Sequence, residues 1–498
     1  MSASVHLSAS RLLTGVSGLD DILFGGLSRG HMYLVEGHPG TGKTTLGMQF
    51  LVAGTRAGER CLYITMSESK AELQEAAQSR DWSLDGIEIL EFVPDEASLA
   101  DQQRYTVFHP AEVEMGGTVK KMLAEIERVV PDRVVIDSLA EFRLLTTDPF
   151  LYRKQLLALK QFFAGRKTTV LLLNDLAAQG DDHEALSIVH GVISLSKLVR
   201  SYGVTRRRIE ILKMRAAGYR AGYHDYTLDA DGVSVYPRLI AAEHGEDFAD
   251  ELLSSNLPAL DALFGGGIER GTSTLIFGPD GVGKSSIAMQ YARAAAARQE
   301  RAVIYSFDET LRTAKKRARG MGMSIDAELN AQHLSLEQMD AAEISPGEFA
   351  WKIRREVEEN KARIIVIDSV NGYLLSMPGE SDLPLHMHEL LEFLNQQGVS
   401  TFLVLAQQNL LSQGSDDVNV SYLADNVLIM RYFEAEASVR RAISVLKKRS
   451  APHENTIREL QFGSDGIQLG EPLAGFKGVL SGTPESVSAG PETLTKDC

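Results

Sequence analysis

Residues 19–43 read LDDILFGGLSRGHMYLVEGHPGTGK, and residues 260–284 read LDALFGGGIERGTSTLIFGPDGVGK. The second stretch repeats the first at an offset of 241 (284 − 43). Each passes from an apolar run, MYLVEG or TLIFG, through a glycine-rich loop to a lysine. Other pairs keep a similar spacing. Ile136-Asp137-Ser138 recurs as Ile367-Asp368-Ser369, and Lys213/Arg215 as Lys447/Arg449. A period this long is too large for a solenoid, so the chain is two copies of one domain. We place the first domain at 1–245, the second at 246–470 and a tail rich in Gly, Pro, Ser and Thr at 471–498. Residues 238–256 are polar and acidic and read as the join.

Around the repeat, short apolar runs alternate with amphipathic stretches. CLYITM, RVVIDSL and TTVLLLND follow MYLVEG in the first copy; AVIYSFD, RIIVIDS and STFLVLAQ follow TLIFG in the second. Residues 152–163 and 384–395 have helical apolar spacing. Continuous apolar strands separated by helices predict an α/β fold: a doubly wound, mostly parallel sheet in each copy.

Composition narrows the function. The 51 Lys+Arg and 67 Asp+Glu give a net charge of −16, which argues against a protein that coats nucleic acid or anionic membrane. Two cysteines, Cys61 and Cys498, form no disulfide framework and no zinc spacing, and they fit a reducing compartment. The first residues, MSASVHLSASRLLTG, lack a signal-peptide core, and no apolar run reaches membrane-spanning length. A cytoplasmic protein is expected.

Gly37-His38-Pro39-Gly40-Thr41-Gly42-Lys43-Thr44 fits G-x-x-x-x-G-K-[ST], and Gly278-Pro279-Asp280-Gly281-Val282-Gly283-Lys284-Ser285 fits it again. Glycines let backbone N–H groups curl around a phosphate, and the helix that follows adds the positive end of its dipole. Two matches in equivalent context predict two ATP sites. The binding residues are Gly37, Gly40, Thr41, Gly42, Lys43, Thr44 and Thr45, then Gly278, Gly281, Val282, Gly283, Lys284, Ser285 and Ser286. The Thr44 and Ser285 hydroxyls are the expected Mg²⁺ ligands. Asp137 and Asp368 end apolar strands, where an α/β sheet opens its ligand crevice. They would hold Mg²⁺ directly or through water; the alternative is a turn cap through Ser138 or Ser369.

Glu68 and the pair Asp308-Glu309 follow the next strand. An acid there can orient or deprotonate an attacking water or hydroxyl; the alternative is that it caps the next helix. Ser67 stands where the second copy has Asp308. Lys213, Arg215, Lys447 and Arg449 end strand-like runs and are candidates to stabilise charge on the γ-phosphate, from the same chain or a neighbour.

With both loops and the duplication in hand, the chain resembles the KaiC family, within the RecA-like ATPases. FGGLSRG and FGGGIERG, IDSVNGYLLSMPGE, VSYLADNVLIMRYFEAEASVRRAISVLKKRSAPHENTIREL and GVLSGTP carry the resemblance. It implies two tandem RecA-like P-loop domains assembled as a homohexamer, with ATP between neighbouring protomers. Lys213, Arg215, Lys447 and Arg449 would then reach a neighbour's γ-phosphate, with His453 beside them in the second tier and Tyr219 at the matching place in the first. The family's adjacent Ser/Thr phosphoacceptors correspond to Ser421 and Tyr422, and its separate further site to Asp416. The resemblance thus implies ATP hydrolysis, one-site autophosphorylation on Ser421 and a KaiB-like or other signalling partner, as in a nucleotide-driven or clock-type switch. With Ser67 in place of an acid, the first domain is expected to hydrolyse ATP slowly through Glu68, and the second to hold most of the chemistry.

Two other readings compete. A RecA-type DNA motor draws on Arg200-Ser201-Tyr202 and Arg206-Arg207-Arg208. The acidic charge and the lack of a separate DNA-binding module favour an interface or a solvated edge for that cluster, so nucleic acid is not an expected partner. The third reading is a nucleotide-dependent scaffold with little turnover.

Overall fold

The computed structural model describes residues 11–92, 110–144, 148–176, 183–199, 203–375, 383–406, 424–480 and 485–486. The chain divides into two compact units, Met1–Arg238 and Leu239–Cys498. In the first unit the strands are β1 (Met32–Gly37), β2 (Cys61–Thr65), β3 (Ile87–Glu91), β4 (Arg133–Asp137), β5 (Thr169–Asp175), β6 (Gly191–Leu198), β7 (Arg206–Met214), β8 (Tyr223–Asp229) and β9 (Gly232–Tyr236). The helices used below are α1 (Lys43–Arg56), α2 (Lys70–Gln78), α3 (Pro110–Val129) and α4 (Pro149–Ala164). One nine-stranded sheet runs in the order β9-β8-β7-β6-β1-β5-β4-β2-β3. From β6 to β3 the pairings are parallel; β6 to β9 form an antiparallel meander.

The second unit repeats this plan. Its elements are β10 (Ser273–Gly278), α5 (Lys284–Ala297), β11 (Arg301–Ser306), α6 (Leu311–Gly320), β12 (Leu334–Gln338), α7 (Pro346–Glu358), β13 (Ala362–Asp368), α8 (Leu383–Gln396) and β14 (Ser400–Ala406). The meander follows as β15 (Asn426–Ala435), β16 (Ser438–Lys448), β17 (Arg458–Gly463) and β18 (Gly466–Pro472). The sheet order is β12-β11-β13-β14-β10-β15-β16-β17-β18.

The central strands are continuous apolar runs because both of their faces are covered. Along β1, Tyr33 and Val35 pack with Leu46, Phe50 and Leu51 of α1, while Met32 and Leu34 pack with Leu156, Leu159 and Phe163 of α4. Along β10, Ile276 packs with Ile287 and Tyr291 of α5, while Leu275 and Phe277 face Leu390, Leu391 and Leu394 of α8. Each such side chain contributes about 1.5–3 kcal/mol of burial, so each sheet is fastened from both sides. Local signals set the helix starts. Ser69 and Ser345 form capping boxes with Glu72 and Glu348, and the Thr310 hydroxyl accepts from the Thr313 N–H.

The polar join read between residues 238 and 256 packs on the second unit. Leu239 and Ala241 are buried in its core, and the His244 ring meets the Phe393 ring edge-on at 5.3 Å. The apolar triplet Leu239-Ile240-Ala241 inside an acidic stretch is the signal for this. Among the described residues no helix is long and apolar enough to cross a membrane.

Candidate active site

In the first unit β1 ends at Gly37 and α1 starts at Lys43. Gly42 caps α1 at φ +93°, and no side chain caps the helix. The first N–H groups of α1 are therefore left for a ligand, and the left-handed φ explains the glycine. The loop is braced from below: Thr41 Oγ1 donates to the His38 carbonyl at 2.8 Å, and the Tyr226 hydroxyl donates to the Thr41 carbonyl at 2.6 Å. Thr45 is buried. Lys43 is buried too; its Nζ donates to the carbonyls of Gly37 and His38 at 2.8 and 3.1 Å and lies 3.7 Å from Asp175. Burial pulls its pKa down, against the attraction of Asp175 and Asp137.

Asp137 ends β4, beside Thr65 in the parallel register. Its Oδ2 accepts from Thr44 Oγ1 at 2.8 Å and from the Tyr63 hydroxyl at 2.7 Å. Glu68 follows β2. Its backbone N–H donates to Thr65 Oγ1 at 3.0 Å, and its carbonyl accepts from the same hydroxyl. The cap of α2 is Ser69, so the carboxylate of Glu68 is not spent on it. Burial pushes the Glu68 carboxyl up, and the negative charges of Asp137 and Glu72 add to the effect.

The second unit repeats the frame with other side chains. Gly283 caps α5 at φ +111°, again without a side-chain cap. Lys284 donates to the Pro279 carbonyl at 2.8 Å and lies 3.8 Å from Asp280. Burial lowers its pKa, opposed by Asp280 and Asp368. The Val282 side chain is wholly inside the core, so only its backbone faces the loop. Asp368 ends β13 and accepts a hydrogen bond from the Ser285 side chain. Burial raises its carboxyl, while the Ser285 bond and Arg317 pull it back. Ser369 Oγ donates to Asp308. Glu309 is gripped by Arg317: NH2 to Oε2 at 2.7 Å and Nε to Oε1 at 3.2 Å. Arg317 NH1 also donates to Ser286 Oγ at 2.9 Å. Thr310 caps α6, so neither Asp308 nor Glu309 does. Lys284, Ser285, Asp308, Glu309, Arg317 and Asp368 line one cavity of about 440 Å³.

Both frames fit Mg²⁺ and nucleotide phosphate: an uncapped helix N-terminus, a buried lysine, and a hydroxyl already bonded to a strand-end carboxylate. Sequence reading missed Tyr63, Asp175 and Arg317, and named Ser369 only in the turn-cap alternative. Tyr63 looks like a core residue in CLYITM, and Arg317 like a solvated charge in LRTAKKRARG. Asp175 carried a usable signal, a strand-end acid in the same position as Asp137.

The strand-end cations lie elsewhere. Lys213 is in register with Val192, which is in register with Leu34, three residues before Gly37. Lys447 is in register with Val427 and so with Leu275, again three residues before Gly278. Each is about 10 Å down the sheet from its own loop and two strands across. At that separation the four cations stand away from the loop of their own unit. Lys213 Nζ donates to the Leu186 carbonyl at 2.6 Å, and Arg215 to the Ser187 carbonyl at 2.8 Å. Lys447 Nζ donates to the Ala424 carbonyl at 2.6 Å, and Arg449 lies 3.3 Å from Asp425. Burial lowers the pKa of both lysines. The N–H of Glu454, next to His453, donates to the Leu263 carbonyl ahead of β10, which puts His453 at the same end as Lys447. Tyr219 packs against the first core.

Ser421, Tyr422 and Asp416 lie outside the described residues, as do Arg200, Ser201 and Tyr202. Of the rest of that basic cluster, Arg206 is buried and Arg208 lies 3.6 Å from Asp225.

Fold and loops together define a protein of two tandem RecA-like P-loop ATPase domains. The KaiC ATPase family model matches residues 12–240 and 253–474, and the chain belongs to that family. It is 26% identical to the circadian clock oscillator protein KaiC of Prochlorococcus marinus (strain MIT 9313), over 97% of both chains. It is 25% identical to the circadian clock protein KaiC3 of Synechocystis (strain PCC 6803), over 95% of this chain and 94% of that one.

Proposed function

We propose that this chain hydrolyses ATP at both phosphate loops as a head-to-tail ring, a homohexamer by family, in which each protomer supplies its loop to one interface and its strand-end cations to the next. The register carries this reading. Each unit has a phosphate loop at one end of its sheet and a Lys/Arg pair two strands across and three or more residues down from it, which suits a heterologous interface that closes. Lys43, Thr44 and Asp137, with Gly37, Gly40, Thr41, Gly42 and Thr45, would hold Mg·ATP in the first tier. Lys284, Ser285 and Asp368, with Gly278, Gly281, Val282, Gly283 and Ser286, would hold it in the second. Mg²⁺, held by Thr44 or Ser285 and by Asp137 or Asp368 directly or through water, supplies charge neutralisation on the phosphates. Glu68, or Glu309 with Asp308, takes a proton from water as its oxygen bonds to the γ-phosphorus and the bridge to ADP breaks. Lys213, Arg215, Lys447 and Arg449, with His453 beside the second pair, steady the neighbour's γ-phosphate.

In the second tier the Ser421 hydroxyl takes the place of water, and its proton goes to Asp308 or Glu309. The phosphorylated ring then signals to a protein partner of the KaiB type, as a clock-like switch. The relatives named as circadian clock proteins support this output. The test follows native mass and intact-chain mass in parallel over hours with Mg·ATP. A nucleotide-dependent hexamer that makes ADP and gains one phosphate per chain, mapped to Ser421, is the expected result. A hexamer that makes ADP with Ser421 unmodified removes the autokinase and leaves the ATPase switch; a hexamer with no ADP leaves a scaffold.

A further inference from the structure

The second site holds an arginine that has no counterpart on the matching helix of the first. Helix α6 follows the Asp308-Glu309 loop, and it carries Arg312, Lys315, Lys316, Arg317 and Arg319. Arg319 turns outward to Asp326. Arg317 turns into the phosphate cavity and spends its guanidinium on two targets, both oxygens of Glu309 and the hydroxyl of Ser286. A bidentate guanidinium–carboxylate pair with a third directed bond is among the stronger hydrogen-bonded arrangements available to side chains. The matching helix α2 also begins one residue after its cap, and its residue at the repeat offset is Ala76. Glu68 therefore has no such partner on α2.

A carboxylate acts as a base only if a lone pair faces the proton it takes. Both Glu309 oxygens are engaged by Arg317, and Asp308 by Ser369, so the acids of the second cavity are already hydrogen-bonded within the chain. The same guanidinium touches the residue after Ser285 on the phosphate loop, so phosphate charge arriving there competes with Glu309 for it.

We propose that Arg317 is a positioning residue that latches Glu309 and releases it when nucleotide phosphate draws the guanidinium onto the loop. This rests on the reading of Glu309 as a base at an ATP-hydrolysing second site. The latch makes the second site dependent on occupancy, and α2 supplies no counterpart to it at the first.

The test uses the full chain with Lys43→Ala to silence the first site, and compares it with Arg317→Ala, Arg317→Gln and Arg317→Lys in that background. Freed of the latch, Arg317→Ala should raise kcat for ATP roughly three- to tenfold and raise KM as well. Arg317→Gln does the same if the alanine chain folds poorly, and Arg317→Lys returns kcat toward the parent. Adding Glu309→Gln to Arg317→Ala abolishes the gain, because the latch acts through that carboxylate. A merely structural ion pair predicts lower thermal stability with kcat unchanged or reduced. If the parent turns over ATP and neither neutral variant exceeds it, the latch is wrong and the hydrolysis reading stands. If parent and variants all bind ATP and none turns it over, both fall.

Discussion

Lys213 lies on the register row of Leu34, two strands across from Gly37 and three residues short of the loop that Gly37 opens. Its role in hydrolysis is therefore testable by mixing. With the second site silenced by Lys284→Ala, chains carrying Lys43→Ala and chains carrying Lys213→Ala with Arg215→Ala should each lose first-site turnover, the cation pair by roughly 10³-fold. Assembled together at equal amounts, they leave roughly one interface in four with an intact loop and intact cations, and activity returns to that extent. Mixed rings as inactive as the separate ones would end the reading.

Asp368 and Asp137 should share the metal role but not the workload. Asp368→Ala is expected to raise the Mg²⁺ concentration needed at the second site by about 10- to 100-fold and to remove most of the chain's ATP turnover. Asp137→Ala, which frees the Thr44 and Tyr63 hydroxyls, should remove the smaller share. A Mg²⁺ titration of steady-state turnover separates the two, and an Asp368→Ala chain with full turnover contradicts the assignment.

The parts of the fold that sequence revealed are those with one dominant physical signal. MYLVEG and TLIFG are apolar throughout because helices cover both faces, and the glycine loops are constrained by backbone conformation. The antiparallel meander was hidden because strands such as YHDYTLD alternate buried residues with polar, part-exposed ones and lack a continuous apolar run. Arg317 was hidden because a helix rich in basic residues reads as solvated whichever face its arginine takes, and Tyr63 because a buried tyrosine looks like core until its hydroxyl finds Asp137. The position of Lys213 relative to its own loop is a matter of register, which no local pattern in IEILKMR encodes.

Glu68 should give first-site hydrolysis a displaced acid limb. A base must be ionised to act, so turnover is present above its pKa and fades as pH falls through it. Burial first, then Asp137 and Glu72, raise that pKa above the ordinary glutamate value, so the limb lies at higher pH than for an exposed glutamate. In a Lys284→Ala chain, Glu68→Gln should lose turnover at every pH. The same shift means that ionised Glu68 opposes folding above its folded pKa and stops doing so as pH falls through it. Glu68→Gln should then be no less stable than the parent at neutral pH, read by thermal denaturation. A first site whose rate is flat down to the ordinary glutamate range would remove Glu68 from the role.

Arg133 is where the first unit is most exposed to a single substitution. Its side chain is 3% exposed, its Nε meets Glu59 at 2.5 Å, and NH1 donates to the carbonyls of Leu13 and Phe50 at 2.8 Å each. The guanidinium also lies 4.8 Å from the centre of the Phe50 ring on α1. Arg133→Met keeps much of the volume but removes a donor from the buried Phe50 carbonyl and from the part-buried Leu13 carbonyl, and among the described residues it leaves Glu59 paired with Arg29 alone, at 2.6 Å. Breaking a buried pair from one side costs about 3–5 kcal/mol. Because these partners all belong to the first unit, calorimetry should show its transition moving down while that of Leu239–Cys498 stays in place. Adding Glu59→Gln should recover part of the loss, since the carboxylate left behind accounts for much of it. A single unshifted transition in Arg133→Met would mean that this network contributes little to the first unit.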